Sequence, residues 1–102
     1  MIWNGGINTN YKMRSYMKNK DKLEEILEDE TVMVFDNYDY DSALIGYTDD
    51  YRAVYDYDLM VEYLVKEQGF SYEDAVEWID YNTIRALPYY GDKAPIIMYR
   101  LD

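Results

Sequence analysis

The strongest constraint on the fold is a pair of consecutive helix patterns in the second half of the chain. Asp58 and Gly69 bound the first pattern as a predicted N-cap and C-cap. The second pattern opens at Ser71, where Asp74 completes a capping box, and it ends before Pro88. Because only a short link separates the two helices, we expect them to pack side by side in one folded unit.

Strand patterns precede and follow this helix pair. TVMVF (31–35) is β-branched and predicts a strand. Residues 42–48 and 51–57 predict a hairpin turning at Thr48, with Tyr47 and Tyr55 near the core. Residues 94–100 predict an edge or closing strand. The pattern predicts an α+β fold in which a small antiparallel sheet, a three-strand meander plus a C-terminal strand, is packed by the two consecutive helices.

The N-terminal part of the chain differs from the rest in charge. The net charge is −11, yet all 21 acidic residues lie after residue 20. Residues 1–18 predict a flexible basic arm, and residues 19–102 predict a single acidic α+β domain. Within it, residues 19–30 predict a short amphipathic helix with Leu23, Ile26 and Leu27 on its apolar side. Its charges run from basic to acidic, the reverse of the order that the helix dipole favours.

The composition excludes several kinds of chemistry. The chain has no cysteine and no histidine, so thiolate metal sites, Cys/His catalysis and Ser/His/Asp triads cannot be built. It also lacks a phosphate-binding glycine loop, and we predict that it is not an enzyme and uses no cofactor. With no apolar stretch of membrane-spanning length and no signal-peptide pattern, the expected location is the cytoplasm of a bacterial host.

Two Asp-x-Asp pairs raise the question of a metal site. Hard cations favour oxygen ligands, and Asp39-Tyr40-Asp41 and Asp56-Tyr57-Asp58 supply carboxylates. An EF-hand loop starting at Asp39 would have Leu44 in place of the required glycine and Asp50 in place of the final glutamate. We therefore predict no specific metal site.

The acids also form two arrays with a regular spacing. One is the Asp-rich meander, and the other is a helix face with Glu73, Glu77 and Asp80, hereafter the acidic ridge. Acids at i and i+4 on a helix lie about 6 Å apart, a charge spacing that resembles a nucleic-acid backbone. A solvated helix face with acidic loops is the plain alternative. Direct binding of nucleic acid or of an anionic membrane is not expected, because phosphate affinity comes from Lys and Arg.

The candidate contacts with a basic partner fall into two groups. The carboxylates supply the charge, and the tyrosines are amphipathic anchors of the kind that interfaces favour. The carboxylates are Asp36, Asp39, Asp41, Asp49, Asp50, Glu73, Glu77 and Asp80, and the tyrosines are Tyr38, Tyr40 and Tyr51.

Residues 31–99 resemble a family of small acidic proteins from phages and other mobile elements of Gram-positive bacteria. The most specific parts are IDYNTIRALPY (79–89) and VYDYD (54–58). No activity is assigned to this family, so the resemblance implies no site residues. The setting suggests, by analogy with anti-CRISPR and anti-restriction inhibitors, an acidic protein that occupies a DNA-binding cleft.

Two functions follow as expectations. The first is a non-enzymatic DNA mimic that binds the basic nucleic-acid-binding groove of a host defence protein, such as a nuclease. The alternative is a small structural or regulatory interaction module that docks through the shape of its helix pair. Salt dependence separates the two, because only electrostatic docking weakens steeply as ionic strength rises.

Overall fold

The computed structural model describes residues 17–102, and in this part of the chain three α-helices surround a three-stranded sheet. The α-helices are α1 (Asn19–Ile26), α2 (Tyr57–Gln68) and α3 (Tyr72–Ile79), and the strands are β1 (Leu44–Tyr47), β2 (Ala53–Asp56) and β3 (Ile96–Met98). Two 3-10 turns, Asp41–Ala43 and Leu87–Tyr90, and a π-helical segment, Asp80–Ile84, complete the elements. The predicted α+β class is confirmed.

The sheet has the order β1-β2-β3 and is mixed. β1 and β2 form the predicted antiparallel hairpin, with Leu44 opposite Tyr55 and Tyr47 opposite Ala53. β3 instead pairs with β2 in parallel, with Ile97 opposite Tyr55. The prediction of an antiparallel sheet, a meander plus a C-terminal strand, is therefore wrong in its finer detail. Parallel neighbours need a crossover connection, and α2 and α3 together provide it.

The segment TVMVF forms no strand with any part of the described chain, contrary to the prediction. Its side chains pack on the core instead, because Phe35 is buried and Val32 and Val34 are partly buried. The Phe35 N–H donates to the Tyr55 hydroxyl at 3.1 Å, so a side chain anchors its backbone. β-propensity reports how well a side chain fits a half-buried surface, and here packing alone provides that surface.

Helix α1 is capped by a residue from a distant loop. The Asp41 carboxylate accepts the N–H groups of Asn19 and Lys20, each at 2.8 Å. The Asn19 side-chain amide donates to the Asp41 carbonyl at 3.0 Å. A carboxylate at this position satisfies free N–H groups and interacts favourably with the helix dipole. The unfavourable order of charges within α1 is thereby offset.

Asp56, and not the predicted Asp58, is the N-cap of α2. One Asp56 oxygen accepts the Leu59 N–H at 3.1 Å, and the other pairs with Nε of Arg100 at 2.8 Å. Asp58 lies in the first turn and is exposed. Gly69 ends the helix as predicted, with a φ of 78° in the left-handed region. The N-cap prediction is wrong by two residues because β2 runs directly into the helix.

Helix α3 begins as predicted but ends early. The Ser71 hydroxyl accepts the Asp74 N–H at 3.1 Å, as expected for an N-cap. The α-helical geometry stops at Ile79, whereas the sequence predicts one helix continuing to Leu87. The next segment is π-helical, and its Arg85 N–H donates to the carbonyl five residues earlier at 3.1 Å.

A side chain explains the wider turn after α3. The Asn82 amide donates to the Trp78 carbonyl at 3.2 Å and so supplies a partner to a backbone acceptor of the helix. Side chains that enter the helical hydrogen-bond ladder commonly widen or bend it. The turn also brings Thr83 into the interior, where only 6% of its surface is exposed.

The core lies between the sheet and helices α2 and α3. Its most deeply buried side chains include Tyr55, Met60, Leu64 and Ile79. The sequence pattern correctly predicts Tyr55 as a core residue, but the same prediction for Tyr47 is wrong, because Tyr47 is 44% exposed. The apolar side predicted for α1 is confirmed for Leu23 and Leu27, which are buried, and wrong for Ile26, which is 51% exposed.

The predicted basic arm, residues 1–18, lies outside the described residues except for Met17 and Lys18. Lys18 is the N-cap residue of α1, and its Nζ lies 3.3 Å from the Asp39 carboxylate. The remainder of the arm stays a prediction. From residue 17 onward, no helix is long and apolar enough to cross a membrane.

Candidate protein-binding surface

The acidic ridge lies on the outer face of α3 and continues into the π-helical segment. Ala75 and Ile79 face the interior and are fully buried, which leaves Glu73 and Glu77 on the opposite, exposed face. Asp80 is also exposed, one residue beyond the end of α3. The structure therefore keeps all three predicted ridge carboxylates together and accessible.

The ridge borders a groove of about 590 Å³ that the sequence does not predict. We call it the tyrosine groove, because three tyrosines from separate parts of the chain line it beside the ridge acids. Its lining residues are Tyr57, Tyr72, Glu73, Val76, Glu77, Asp80, Ile84 and Tyr99. The groove thus combines an aromatic and aliphatic wall with an acidic edge.

A stacked pair of rings forms one side of the tyrosine groove. The ring centroids of Tyr57 and Tyr99 lie 4.8 Å apart with a tilt of 34°. Tyr57 opens α2 and Tyr99 follows β3, so the parallel pairing of β2 and β3 places these two residues at the same end of the sheet. Burial raises the pKa of Tyr57, and the nearby Tyr99 contributes to the rise. This hydroxyl is therefore neutral at physiological pH.

The three ridge acids differ in their own partners. Asp80 lies 3.6 Å from Arg85, and the Arg85 guanidinium carbon lies 4.3 Å from the ring centre of Tyr81. Within residues 17–102, neither Glu73 nor Glu77 forms an ion pair. These two carboxylates are consequently the strongest unneutralised charges beside the groove.

Most side chains of the loop formed by residues 36–41 stabilise the fold and are not available as contacts for a partner. Tyr40 is only 2% exposed, so the side chain is a core residue and not an accessible anchor. Tyr38 is partly buried, and its ring lies 5.5 Å from that of Trp78 in an edge-on contact. Asp39 pairs with Lys18, and Asp41 caps α1 as described above. These contacts explain most of the acidic and aromatic residues of this loop by folding alone.

Asp36 is the exception in that loop. It is exposed, and it lies with Trp78 and Asn82 around a small cavity of about 10 Å³ near the end of α3. It is thus the only loop carboxylate in the candidate set that is both exposed and without a capping or ion-pair role among the described residues.

The hairpin-turn residues lie at the other end of β2 from the tyrosine groove. Asp49 is exposed, and Asp50 accepts a hydrogen bond from the Thr48 hydroxyl, which lowers the pKa of Asp50. Lys93 donates to the Asp50 carbonyl. Tyr51 is 37% exposed, and it forms part of the turn with a left-handed φ of 65° and an N–H that donates to the Thr48 carbonyl at 3.0 Å. The structure does not unite this turn with the ridge in a single cavity.

The Asp-x-Asp pairs have structural roles. Asp41 caps α1, and Asp56 caps α2 and pairs with Arg100. Among residues 17–102, no three acidic side chains converge in a geometry that could hold a metal ion.

Sequence reasoning missed Tyr57, Tyr72 and Tyr99 as neighbours of the ridge. The abundance of tyrosine is visible in the sequence. The proximity of Tyr57 to Tyr99, however, depends on the parallel pairing of two strands that are distant along the chain. No local pattern encodes that pairing.

Comparisons of the chain with protein-family models, with curated proteins and with solved structures find no match.

Proposed function

We propose that this protein is a non-enzymatic inhibitor that binds the basic nucleic-acid-binding groove of a host defence protein and competes with DNA there. The observation that supports this most directly is the acidic ridge, with Glu73 and Glu77 exposed and unpaired within the described chain. A net charge of −11 adds a long-range attraction for a basic partner and speeds encounter with it. The resemblance to acidic phage and mobile-element proteins gives the proposal its biological setting.

We propose fewer contact residues than the sequence alone suggests. The ridge acids form its centre, and the exposed Asp36 is a further candidate contact. Asp39, Asp41 and Tyr40 are engaged in the fold, so their loss would weaken binding only indirectly. Asp49, Asp50 and Tyr51 form a separate patch at the hairpin turn.

Affinity purification of the tagged protein from a bacterial host tests the proposal. We expect a basic nucleic-acid-binding protein to co-elute, and we expect added DNA to displace it. The variant Glu73→Lys/Glu77→Lys should lose this partner. The matched control Glu24→Lys/Glu28→Lys makes the same change in net charge at exposed positions on and just after α1, and it should keep the partner. Retention of the partner by the ridge variant would contradict the proposal.

A second candidate function rests on a different surface. An apolar groove of about 240 Å³ lies between α1 and β1, and the exposed side chains of Ile26, Ile45 and Tyr47 line it. It favours the structural or regulatory interaction module, docking through apolar contact. Binding through this groove would change little between low and high salt, whereas binding through the ridge would weaken by an order of magnitude or more.

A further inference from the structure

We infer that the tyrosine groove accepts an arginine side chain, and that arginine is the partner residue that this surface selects over lysine. The inference rests on the proposed function, because it names the chemical group that the acidic surface of that proposal would recognise. It adds an aromatic component that a pure charge mimic would lack.

The first step is the charge of the groove. Glu73, Glu77 and Asp80 form its acidic edge, and no Lys or Arg of residues 17–102 lines it. Its aromatic and aliphatic walls would remain exposed to water in the free protein. An occupant must therefore bring positive charge together with a surface that packs on tyrosine rings.

The second step is the shape of the walls. Tyr72 is 66% exposed and Tyr99 is 57% exposed, and the Tyr99 ring packs against the Tyr57 ring. Flat, accessible rings beside carboxylates suit a planar guanidinium, which stacks on aromatic faces and donates two parallel hydrogen bonds to one carboxylate. A lysine ammonium is a compact, strongly hydrated charge and gains less from such a surface.

The third step is that the chain already contains an arginine packed between a tyrosine ring and a carboxylate. Arg85 lies over the Tyr81 ring at 4.3 Å and beside the Asp80 carboxylate at 3.6 Å. An arginine held between a tyrosine and an acid is therefore already present one turn from the groove. Glu73 and Glu77 offer the same pair of chemical groups beside Tyr72, with no cation of the described chain between them.

Short peptides test the inference on the full-length chain. Three peptides of equal length contain arginine, lysine or uncharged citrulline at the same positions, and isothermal titration calorimetry measures their affinities. We expect the arginine peptide to bind several-fold more tightly than the lysine peptide, because only the planar guanidinium both stacks on the rings and donates two parallel hydrogen bonds to one carboxylate. We expect no measurable binding of the citrulline peptide, because it has the shape of arginine without its charge. Equal binding of arginine and lysine would overturn the inference.

Variants locate the binding in the groove. Tyr72→Ala and Glu77→Gln alter exposed side chains, and each should weaken the arginine peptide several-fold. The control Glu67→Gln removes one charge from an exposed position on α2 that does not line the groove, and it should change the affinity little. Equal weakening by all three variants would show general charge attraction and would overturn the inference. Groove-dependent self-association in sedimentation velocity would also overturn it, since a second copy would then be the occupant.

The outcome separates this inference from the proposed function. If the arginine peptide binds the groove but no DNA-binding partner is displaced by DNA, the inhibitor proposal fails and the arginine site stands. If such a partner is found and Tyr72→Ala binds it as tightly as the unaltered protein, the inference fails alone.

Discussion

Two buried tyrosines differ in what their hydroxyl groups contact. The Tyr55 hydroxyl accepts the Phe35 N–H, whereas the Tyr40 hydroxyl has no hydrogen-bond partner among residues 17–102. Thr83 and Trp78 lie near enough to Tyr40 to influence its pKa, but neither stands in hydrogen-bonding geometry with it. An unpaired buried hydroxyl is costly, and a paired one is not.

The two hydroxyl groups should therefore respond differently to removal. Tyr40→Phe should leave the free energy of unfolding unchanged or raise it by up to about 1 kcal/mol, because it removes an unpaired polar atom. Tyr55→Phe should lower it by about 1–2 kcal/mol, because the Phe35 N–H loses its acceptor. Urea unfolding of the two variants measures both values. A loss in Tyr40→Phe as large as that in Tyr55→Phe would mean that the Tyr40 hydroxyl has a partner.

The same residues make stability sensitive to high pH. Burial raises the pKa of Tyr40 and of Tyr55 to about 12, above the value near 10 that tyrosine has in an unfolded chain. Between these pH values the unfolded chain loses protons that the folded chain retains. Stability is thus fully present below pH 10 and is lost as the pH rises toward 12, by up to about 1.4 kcal/mol per pH unit for each residue.

Urea unfolding at several pH values above 9 checks this slope. Tyr40→Phe should clearly reduce this slope, because it removes one of the two tyrosines whose pKa is raised to about 12. Tyr89 is 88% exposed, so Tyr89→Phe is the matched control and should leave the slope unchanged. An unaltered slope in Tyr40→Phe would contradict the prediction.

At the scale of the elements, Asp56 joins three of them. It ends β2, caps α2 and pairs with Arg100, which follows β3. Burial by itself raises the pKa of Asp56, but the hydrogen bonds from Arg100 and from the Leu59 N–H outweigh that effect and lower it. The carboxylate is therefore ionised in the folded protein and holds the C-terminal strand to the start of the helix.

Removal of this carboxylate should be more damaging than removal of its neighbour. Asp56→Ala should lower the free energy of unfolding by about 2–3 kcal/mol, because it deletes a cap and the main ion-pair partner of Arg100. Asp58→Ala should lower it by about 0.5 kcal/mol or less, since Asp58 is exposed in the first turn. Thermal and urea unfolding measure both. Similar losses in the two variants would contradict the assignment of Asp56, and not Asp58, as the N-cap of α2.

At the scale of the whole molecule, the negative charge opposes compactness. The described ion pairs are few, and apart from Asp56–Arg100 they lie largely at the surface, where each contributes little. We therefore expect repulsion among the remaining acids to outweigh the attraction within these pairs. The ridge carboxylates are exposed, so solvent and salt screen the repulsion between them.

Salt should consequently stabilise the protein. Raising sodium chloride from about 20 mM to about 300 mM shortens the screening length several-fold and should raise the free energy of unfolding by on the order of 1 kcal/mol. Glu24→Gln/Glu28→Gln carries less negative charge and should show a smaller increase. A decrease with salt would mean that the ion pairs outweigh the repulsion.

The sequence by itself determined the local features of this protein. The capping of α3 by Ser71, the end of α2 at Gly69 and the hairpin follow from turn and cap chemistry, which acts over a few residues. The accessible ridge also follows from sequence, because the helical period alone places Glu73 and Glu77 on one face.

Only the tertiary structure decided how the elements combine. Parallel pairing of β2 with β3, capping of α1 by Asp41 and burial of Tyr40 all join residues that are far apart along the chain. Such contacts depend on the packing of the whole core, which no local pattern encodes. The tyrosine groove is a product of that packing, since Tyr57 and Tyr99 meet only when two distant strands lie side by side.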